Sequence, residues 1–494
     1  MLTLAVFVPL VGVVVCALLP RDRPTTIKAV ACAFAALPLL LTVVAWARFD
    51  TGQGGFQLVE SARWIPTLGV TYSLGVDGVS LPLAAMTALL FVAALAYPAD
   101  LRGRPKQYVA AFLFLETVSV GLFLALDLFL FYVFFDLSLV GMYFLIGIWG
   151  HGDARRSALK FFIYTLAGSL VMLLAILGLY LATSPRTFDM AEIIRQQPLA
   201  GNGLRGGLVF LGFLVGFGIK TPIVPFHTWL PPAHVDAPAP ASTILAGVLL
   251  KMGVYGFIRI PLAMLPDAFR TWAPLLAALG VLSIIYGSLV ALAQTNLKRL
   301  IAYTSVNHMG YAILGIAAAG GLAGRGAEAR SLALTGATVE MVAHGLITGA
   351  LFLLAGSVWS RSGTYEMGEL GGLSSRAKTF TAAVIVAAFA SLGLPGLAGF
   401  VAEFHIFAGT FSVYPIAAAI GVLGLVLTAA VFLRMLSQVL FGALPERWAA
   451  WPDLTTVERV TLAPLLALVV VIGIVPAGLL DVIDRTAKAI VTGR

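Results

Sequence analysis

Apolar residues run through the chain in blocks of about twenty, parted by short charged or Gly/Pro-rich segments such as LLPRDRP at 18–24. A helix needs about 20 apolar residues to cross a hydrocarbon core. Turns placed at the polar breaks predict about fourteen spans, at 2–20, 27–47, 78–98, 108–126, 128–149, 158–182, 204–230, 238–260, 272–293, 300–320, 333–357, 379–411, 415–440 and 459–481. The pattern reads as an all-α polytopic membrane protein with one membrane domain over 1–494, because no hydrophilic block is large enough to fold separately. The first block has no basic residues ahead of it and no small-residue cleavage pattern behind it, so a retained helix is expected rather than a signal peptide.

Composition agrees: 60% of residues are hydrophobic and 11% charged, against about 25% charged in a soluble domain. Seventeen Lys and Arg lie in or beside the loops after odd-numbered spans and twelve on the other side, so the odd loops are expected to be cytoplasmic and both termini non-cytoplasmic. Topology then accounts for the net charge of +8, and no nucleic-acid partner is implied. Cys16 and Cys32 are isolated and imply no disulfide, cluster or haem.

Two spans contradict their own helical pattern. In FGIKTPIVPFHTWLP, at 217–231, Lys220 is followed by Thr221-Pro222 and then Pro225. Proline removes a backbone hydrogen bond and disfavours helical geometry before it, so span seven must interrupt itself. In SLGLPGLAGFVAEF, at 391–404, Pro395 with Gly393, Gly396 and Gly399 interrupts span twelve just before Glu403. Irregular backbone at membrane depth is tolerated where protein buries it or where it lines a watery cavity. GFLVGFGIKT does not make a phosphate loop, since Ile219 stands before the lysine.

Ionisable residues inside the spans need a reason, each costing roughly 2.5–3.5 kcal/mol at a helix centre on insertion scales. They are Glu116, Asp136, Lys220, Lys251, His308, Glu340, His344 and Glu403, with His227, His234 and His405 close by. Asp127 falls at the start of span five and reads as a helix cap. Asp136 lies nine residues on, on the opposite helix face, so the two aspartates are not a catalytic pair. Glu340 and His344, at i and i+4, are expected to interact directly.

Broken helices five spans apart point to inverted repeats with ion sites at the breaks. The expected layout is three N-terminal helices in 1–107, repeat A in 108–260 (spans four to eight), repeat B in 272–440 (spans nine to thirteen) and a C-terminal helix at 459–481. Asp136 would then correspond to His308, and Lys220 to Glu403, with Lys251 and His344 between them. Such a lateral series of titratable groups is what a proton relay needs. Gly247, Gly253 and Gly256 suit close helix packing.

GIKTPIVPFHTWLPPAHVDAPAPASTILAGVLLKMGVYG, QTNLKRLIAYTSVNHMGYAILGI, MVAHGLITGALFLLAGSVW and LGLPGLAGFVAEF resemble the antiporter-like membrane subunits of respiratory complex I, above all their M-type branch and its relatives in photosynthetic NDH complexes. The resemblance runs from about Gly75 to span thirteen. It implies proton translocation driven by quinone reduction elsewhere in a complex, as a subunit of an H+-translocating NADH:quinone oxidoreductase. Lys220 is similar to the family's broken-helix lysine, paired with an acid on span five, and Lys251 to its connecting lysine. His308 and His344 resemble relay histidines, and Glu403 the exit-side residue of the M-type. Glu340, Glu116 and His227 are further candidates. The family usually has glutamate where FFDLSLVG carries Asp136, which keeps the charge and shortens the reach.

No nucleotide fingerprint, Cys cluster or haem motif is present, so no cofactor is expected in this chain. FMN, iron-sulfur clusters and quinone are expected in partner subunits, and the partners implied are the other antiporter-like and small subunits of the membrane arm, in a bacterial inner membrane. The alternative is an Mrp-type cation/proton antiporter subunit or the membrane arm of a membrane-bound hydrogenase, where lysine is typical at the place of Glu403. A non-transporting scaffold would not need eight intramembrane titratable groups.

Overall fold

The computed structural model describes residues 1–321 and 326–493, so Arg325 and Arg494, counted above with the far-side charges, lie outside the described residues. In chain order the elements are α1 (Leu2–Leu18), α2 (Pro24–Ala47), a hairpin of β1 (Gln57–Ile65) and β2 (Val70–Val76), α3 (Ser80–Ala96), α4 (Pro105–Leu124), α5 (Leu128–Trp149), α6 (Ala154–Ala182), α7 (Met190–Gln196), α8 (Gly203–Lys220) and α9 (Leu230–Asp236). There follow α10 (Ala239–Leu262), α11 (Pro266–Leu292), α12 (Leu297–Ala319), α13 (Ala327–Ser362), α14 (Lys378–Ser391), α15 (Ala398–Val413), α16 (Pro415–Leu440), α17 (Thr456–Ile474) and α18 (Ala477–Thr492). The protein is a helical, polytopic membrane protein, and ten of these helices are long and apolar enough to cross a membrane. Helices also occupy the other four predicted spans: α1 and α3, of 17 residues each, α12, and the pair α14 and α15.

Local chemistry sets the ends. Pro24, Pro105, Pro266 and Pro415 open helices, where the missing N–H costs nothing. Gly363, at φ +69°, closes α13 in a left-handed turn. Asp127 is the cap the sequence predicts: Oδ1 accepts from Phe129 N and Leu130 N, while Oδ2 accepts from Thr71 N at 2.8 Å and so ties the hairpin to α5.

Three features depart from the sequence reading. Residues 57–76 form an antiparallel hairpin, with Ser61 opposite Ser73, in a stretch read as loop. A short helix, α7, is capped by Asp189. The predicted span at 459–481 stops at Ile474. Pro476 then starts a separate amphipathic helix, α18, which buries Leu479, Val482, Ile483 and Ala487 and leaves Asp481, Arg485 and Lys488 outward. Loops following even-numbered spans gather with α18 around one cavity of about 680 Å³ that includes Phe56, Arg195, Arg270 and Arg330.

At the centre stand α10, buried along its length, and α13, which at 36 residues is about 54 Å long. α13 packs on α10, α12, α14, α15, α17 and α18. The small residues of α10 permit its contacts: a Cβ on Gly253 would meet Thr221 Oγ1 at 2.3 Å, and one on Gly256 would meet the Phe217 ring at 2.4 Å. The far end of α10 is pinned by a buried ion pair, Arg259 to Asp77 at 2.7 Å, each 2% exposed, with Asp77 Oδ1 also accepting from Val79 N and Ser80 N.

Candidate proton relay

Both predicted breaks are present. α8 ends at Lys220 and the chain resumes as α9 at Leu230; α14 ends at Ser391 and resumes as α15 at Ala398. Lys220 is 1% exposed, lies 4.8 Å over the Phe135 ring and donates from Nζ to Ser138 Oγ of α5 at 2.8 Å. Asp136, half-buried on the same helix, accepts from Ser169 Oγ of α6 at 2.6 Å. Lys220 feels the charge of Asp136, yet no ion pair joins them. The pair the resemblance implies is therefore split, with each member held by a serine. The Asp136 carboxylate is satisfied on α6 instead.

Lys251 lies on α10 just after a π turn at Leu245–Leu249, which loosens the local helical ladder. Its Nζ donates to Ala246 O at 2.6 Å and to His344 Nδ1 at 2.5 Å. The His344 and His308 rings are 5.3 Å apart. His308 Nδ1 donates to Glu340 Oε1 at 3.1 Å, and its Nε2 lies 3.0 Å from Ser391 Oγ at the second break. The expected contact between Glu340 and His344 is corrected here. Although they share a helix face, His344 Nδ1 turns to Lys251 across the bundle and Glu340 turns to His308. An interhelical partner of opposite or complementary character outcompetes the i+4 neighbour.

The correspondence drawn between Lys220 and Glu403 also needs correction. Lys220 ends the leading half of its broken helix, whereas Glu403 sits in the trailing half of the other; by place, the counterpart of Lys220 is Ser391. Glu403 is 3% exposed, and its Oε1 has no partner among the described residues. It faces a cavity of about 380 Å³ lined by Gly393, Phe400, Phe404 and Phe407.

The other candidates stand apart. Glu116 on α4 is fully buried, neither carboxylate oxygen has a partner among the described residues, and no contact among them joins it to the series. His227 packs edge-on against Tyr286 at 5.1 Å in the first break. His405 Nδ1 donates to Val401 O of its own helix at 2.7 Å. Sequence reasoning missed Ser138, Ser169 and Ser391. Ser138 and Ser391 had a faint signal, Ser138 two residues after Asp136 in the same motif and Ser391 at the head of the second break; Ser169 had none.

The contacts form two groups: Ser169 with Asp136 and Ser138 with Lys220 at the first break, and Lys251, His344, His308, Glu340 and Ser391 leading to the second, beyond which Glu403 lies; they are called the belt below. Amines, imidazoles and carboxylates each bind and release protons, and hydroxyls pass them on, so the belt has the parts of a proton wire.

A sequence model for the family described as NADH:quinone oxidoreductase/Mrp antiporter, TM matches residues 125–428. The F(420)H(2) dehydrogenase subunit M of Methanosarcina mazei is 39% identical, over 92% of this chain and 90% of its own. The NADH-quinone oxidoreductase subunit M of Rhodobacter capsulatus is 38% identical over 99% and 96%. Among solved structures, a chain of respiratory complex I from Thermus thermophilus with bound NADH superposes with a TM-score of 0.88 at 30% identity, covering 99% of this chain and 100% of that one.

Proposed function

Because the chain belongs to the NADH:quinone oxidoreductase/Mrp antiporter membrane family, we propose that it is the M-type proton-translocating subunit in the membrane arm of an H+-translocating NADH:quinone oxidoreductase. The observation that carries this reading is the direct contact of Lys251 with His344, flanked by the His308–Glu340 pair, in the most deeply buried part of the bundle. Buried ionisable side chains that touch one another across three helices are costly as packing and useful as a relay.

In this reading the relay residues are Asp136, Lys220, Lys251, His308, His344 and Glu403, with Glu340 tuning His308, and Glu116 and His227 as outlying members. The chain has fourteen spans in two inverted five-helix repeats, with the loops after odd spans cytoplasmic and the termini outside a bacterial inner membrane. FMN, iron-sulfur clusters and quinone are carried by partner subunits, and the other antiporter-like and small membrane-arm subunits flank this one. The outward opening of the second break supports a neighbour there: Leu394, Pro395 and Gly396 are exposed, and irregular backbone at membrane depth needs protein cover.

The Mrp antiporter and membrane-bound hydrogenase arms are the competing assignments within the family. Glu403, in place of the lysine typical of those subunits, favours the M-type. The Methanosarcina relative serves a different electron donor by its name, so this chain does not choose the donor. Purifying the chain from its native membrane and identifying its companions tests the assignment. Quinone-site and NADH-site subunits are expected; a set of small Mrp-like subunits alone would overturn it.

A further inference from the structure

On the outside of the bundle, away from the belt, an open groove of about 600 Å³ runs between α11 and the junction of α15 with α16. Pro274, Ala278 and Ile285 line it from α11, and Tyr414, Ala417 and Ile420 from the other side. Every lining side chain is apolar or, at Tyr414, aromatic. From Pro274 to Ile285 the helix rises about 16 Å. That is half of a hydrocarbon core of ~30 Å, the depth of one leaflet.

At the end that carries the loops after even-numbered spans, the groove meets positive charge. Arg270 lies four residues before Pro274 on the same face of α11, and Arg330 stands in the first turn of α13; both line the 680 Å³ cavity. Packing joins that cavity to the groove. The Tyr414 ring packs against Ala333, three residues after Arg330 on α13, and Arg330 Nε donates to Ala319 O at the end of α12 at 2.8 Å. A Cβ on Gly321, two residues further, would lie 3.1 Å from Tyr414 Oη, which has no partner among the described residues. The other arginines of the cavity are neutralised, Arg259 by Asp77 at 2.7 Å and Arg195 by Glu192 at 2.5 Å. Arg270 comes only within 3.8 Å of Asp267, and the half-buried Arg330 forms no ion pair among the described residues. The surplus cation therefore sits where the groove opens.

We propose that this groove holds an acyl chain of an anionic phospholipid whose phosphate is bound by Arg330 and Arg270. An apolar slot one leaflet deep with guanidinium groups at its outer end is complementary to a molecule that carries its negative charge at the head of a hydrocarbon tail. Arg330 spends only Nε on the protein, which leaves its terminal nitrogens for the planar, forked contact that arginine makes with phosphate. Alanines also suit a neighbouring helix, but a helix packed on them would leave the arginine charge unanswered. The site is separate from the relay: none of its residues belongs to the belt.

Photo-labelling of the intact complex tests this. The complex, stripped of lipid in detergent, is mixed with phosphatidylglycerol bearing a diazirine midway along one acyl chain, irradiated and digested to locate the label. Label is expected on residues 274–285 and 414–420, displaced by unlabelled phosphatidylglycerol and at least about fivefold less well by phosphatidylcholine with the same chains, fivefold being the usual contribution of one basic residue at an anionic lipid surface. Arg330→Gln, which keeps a donor for Ala319 O, and Arg270→Gln should each lower labelling by about the same factor. Ala417→Phe fills the groove and should abolish it; the competition between the two lipids needs no variant and decides the matter should that chain fail to assemble. Equal displacement by the two lipids, or labelling unchanged in both arginine variants, overturns the proposal and leaves a groove wetted by any lipid. Absence of label from both segments also overturns it, and a cross-link from the groove to another subunit would make a helix its occupant.

Discussion

The two broken helices solve the same problem in different ways. The first break, between Lys220 and Leu230, is enclosed and tied to a neighbouring helix: Val224 N donates to Ser283 Oγ of α11 at 2.9 Å, while Trp229 Nε1 donates back across the break to Ile219 O at 2.9 Å. Most of its residues are buried. The second break, between Ser391 and Ala398, is held mainly by itself. Gly393 and Gly396 take φ of +77° and +91°, Leu394 N donates to Phe389 O at 3.0 Å, and the tip is exposed. The chemistry divides the same way. The first break ends on a lysine sealed under an aromatic ring, and the second on a serine, with its acid set beyond the break against an outward cavity. A break enclosed by its own chain suits a proton carrier sealed from its surroundings, and one at the edge suits exchange with a neighbour.

That contrast is most exposed at the two residues ending the leading halves. Lys220→Arg keeps the charge and a donor toward Ser138 but cannot release a proton, so pumping by this chain should be lost while the complex assembles; Lys220→Ala should do the same. Ser391→Ala should cost far less, since His308 keeps Glu340, and removing one neutral hydrogen bond costs about 0.5–1.5 kcal/mol. Protons pumped per electron in vesicles measures both. Full pumping by Lys220→Arg would make the lysine a structural donor and erase the difference between the breaks.

The next largest effect concerns the glycines that shape each break. A Cβ on Gly393 would meet Glu403 Oε2 at 2.0 Å and would force an L residue into a left-handed backbone, a strain of about 1–3 kcal/mol. Gly393→Ala should lower the Tm of the complex by a few degrees and displace Glu403, reducing pumping. At the first break the close approach comes from another helix, where a Cβ on Gly253 would also meet Phe217 O and Thr221 N at 2.8 Å. Gly253→Ala should therefore act on stability ahead of pumping. Equal pumping losses at equal Tm in the two variants would remove the distinction.

Much of this was legible in the chain. Pro222, Pro225 and Pro395 announced both breaks, Asp127 its cap, and the buried ionisable residues their cost in the membrane. The hairpin left a signal in QLVESARWI and VTYSLGV, rich in β-branched and aromatic residues around Pro66 and Gly69, and it was overlooked because helical spans dominate the pattern. α18 likewise shows Leu479, Val482, Ile483 and Ala487 at helical spacing against Asp481, Arg485 and Lys488. Partner choice was not legible. Glu340 has a histidine four residues on in the chain and another across the bundle, and only the packing of α12 on α13 decides between them. The serines that hold Asp136 and Lys220 carry no spacing of their own.

The Glu340 contact gives a test of roughly tenfold or more. A charge-assisted hydrogen bond contributes about 1.5–3 kcal/mol, so a double-mutant cycle on pumping rate should show coupling of Glu340→Gln with His308→Ala, and near-additivity with His344→Ala, although Glu340 and His344 are close in sequence. The larger coupling falling on His344 would restore the intrahelical pair and reject the arrangement at the second break.

The smallest effect is expected at Asp136. Its carboxylate already has a partner in Ser169, and Lys220 has one in Ser138. The acid therefore acts on the lysine through space and not through a bond. Adding one methylene in Asp136→Glu extends the reach toward Lys220 by about the 1.5 Å of a carbon–carbon bond without changing the charge, so pumping should stay within about twofold of the parent, because less than about 0.4 kcal/mol is then at stake. The useful arm is the double variant Asp136→Glu with Ser138→Ala. Removing the serine alone leaves Lys220 without its acceptor and should slow coupled turnover several-fold. If the longer acid can take the lysine directly, the double variant should recover most of that loss, and the first break would then work as a contact pair like the second. If the loss persists undiminished, the serine is the working partner of Lys220, and the shorter acid of this chain belongs to a break in which the charges never need to touch.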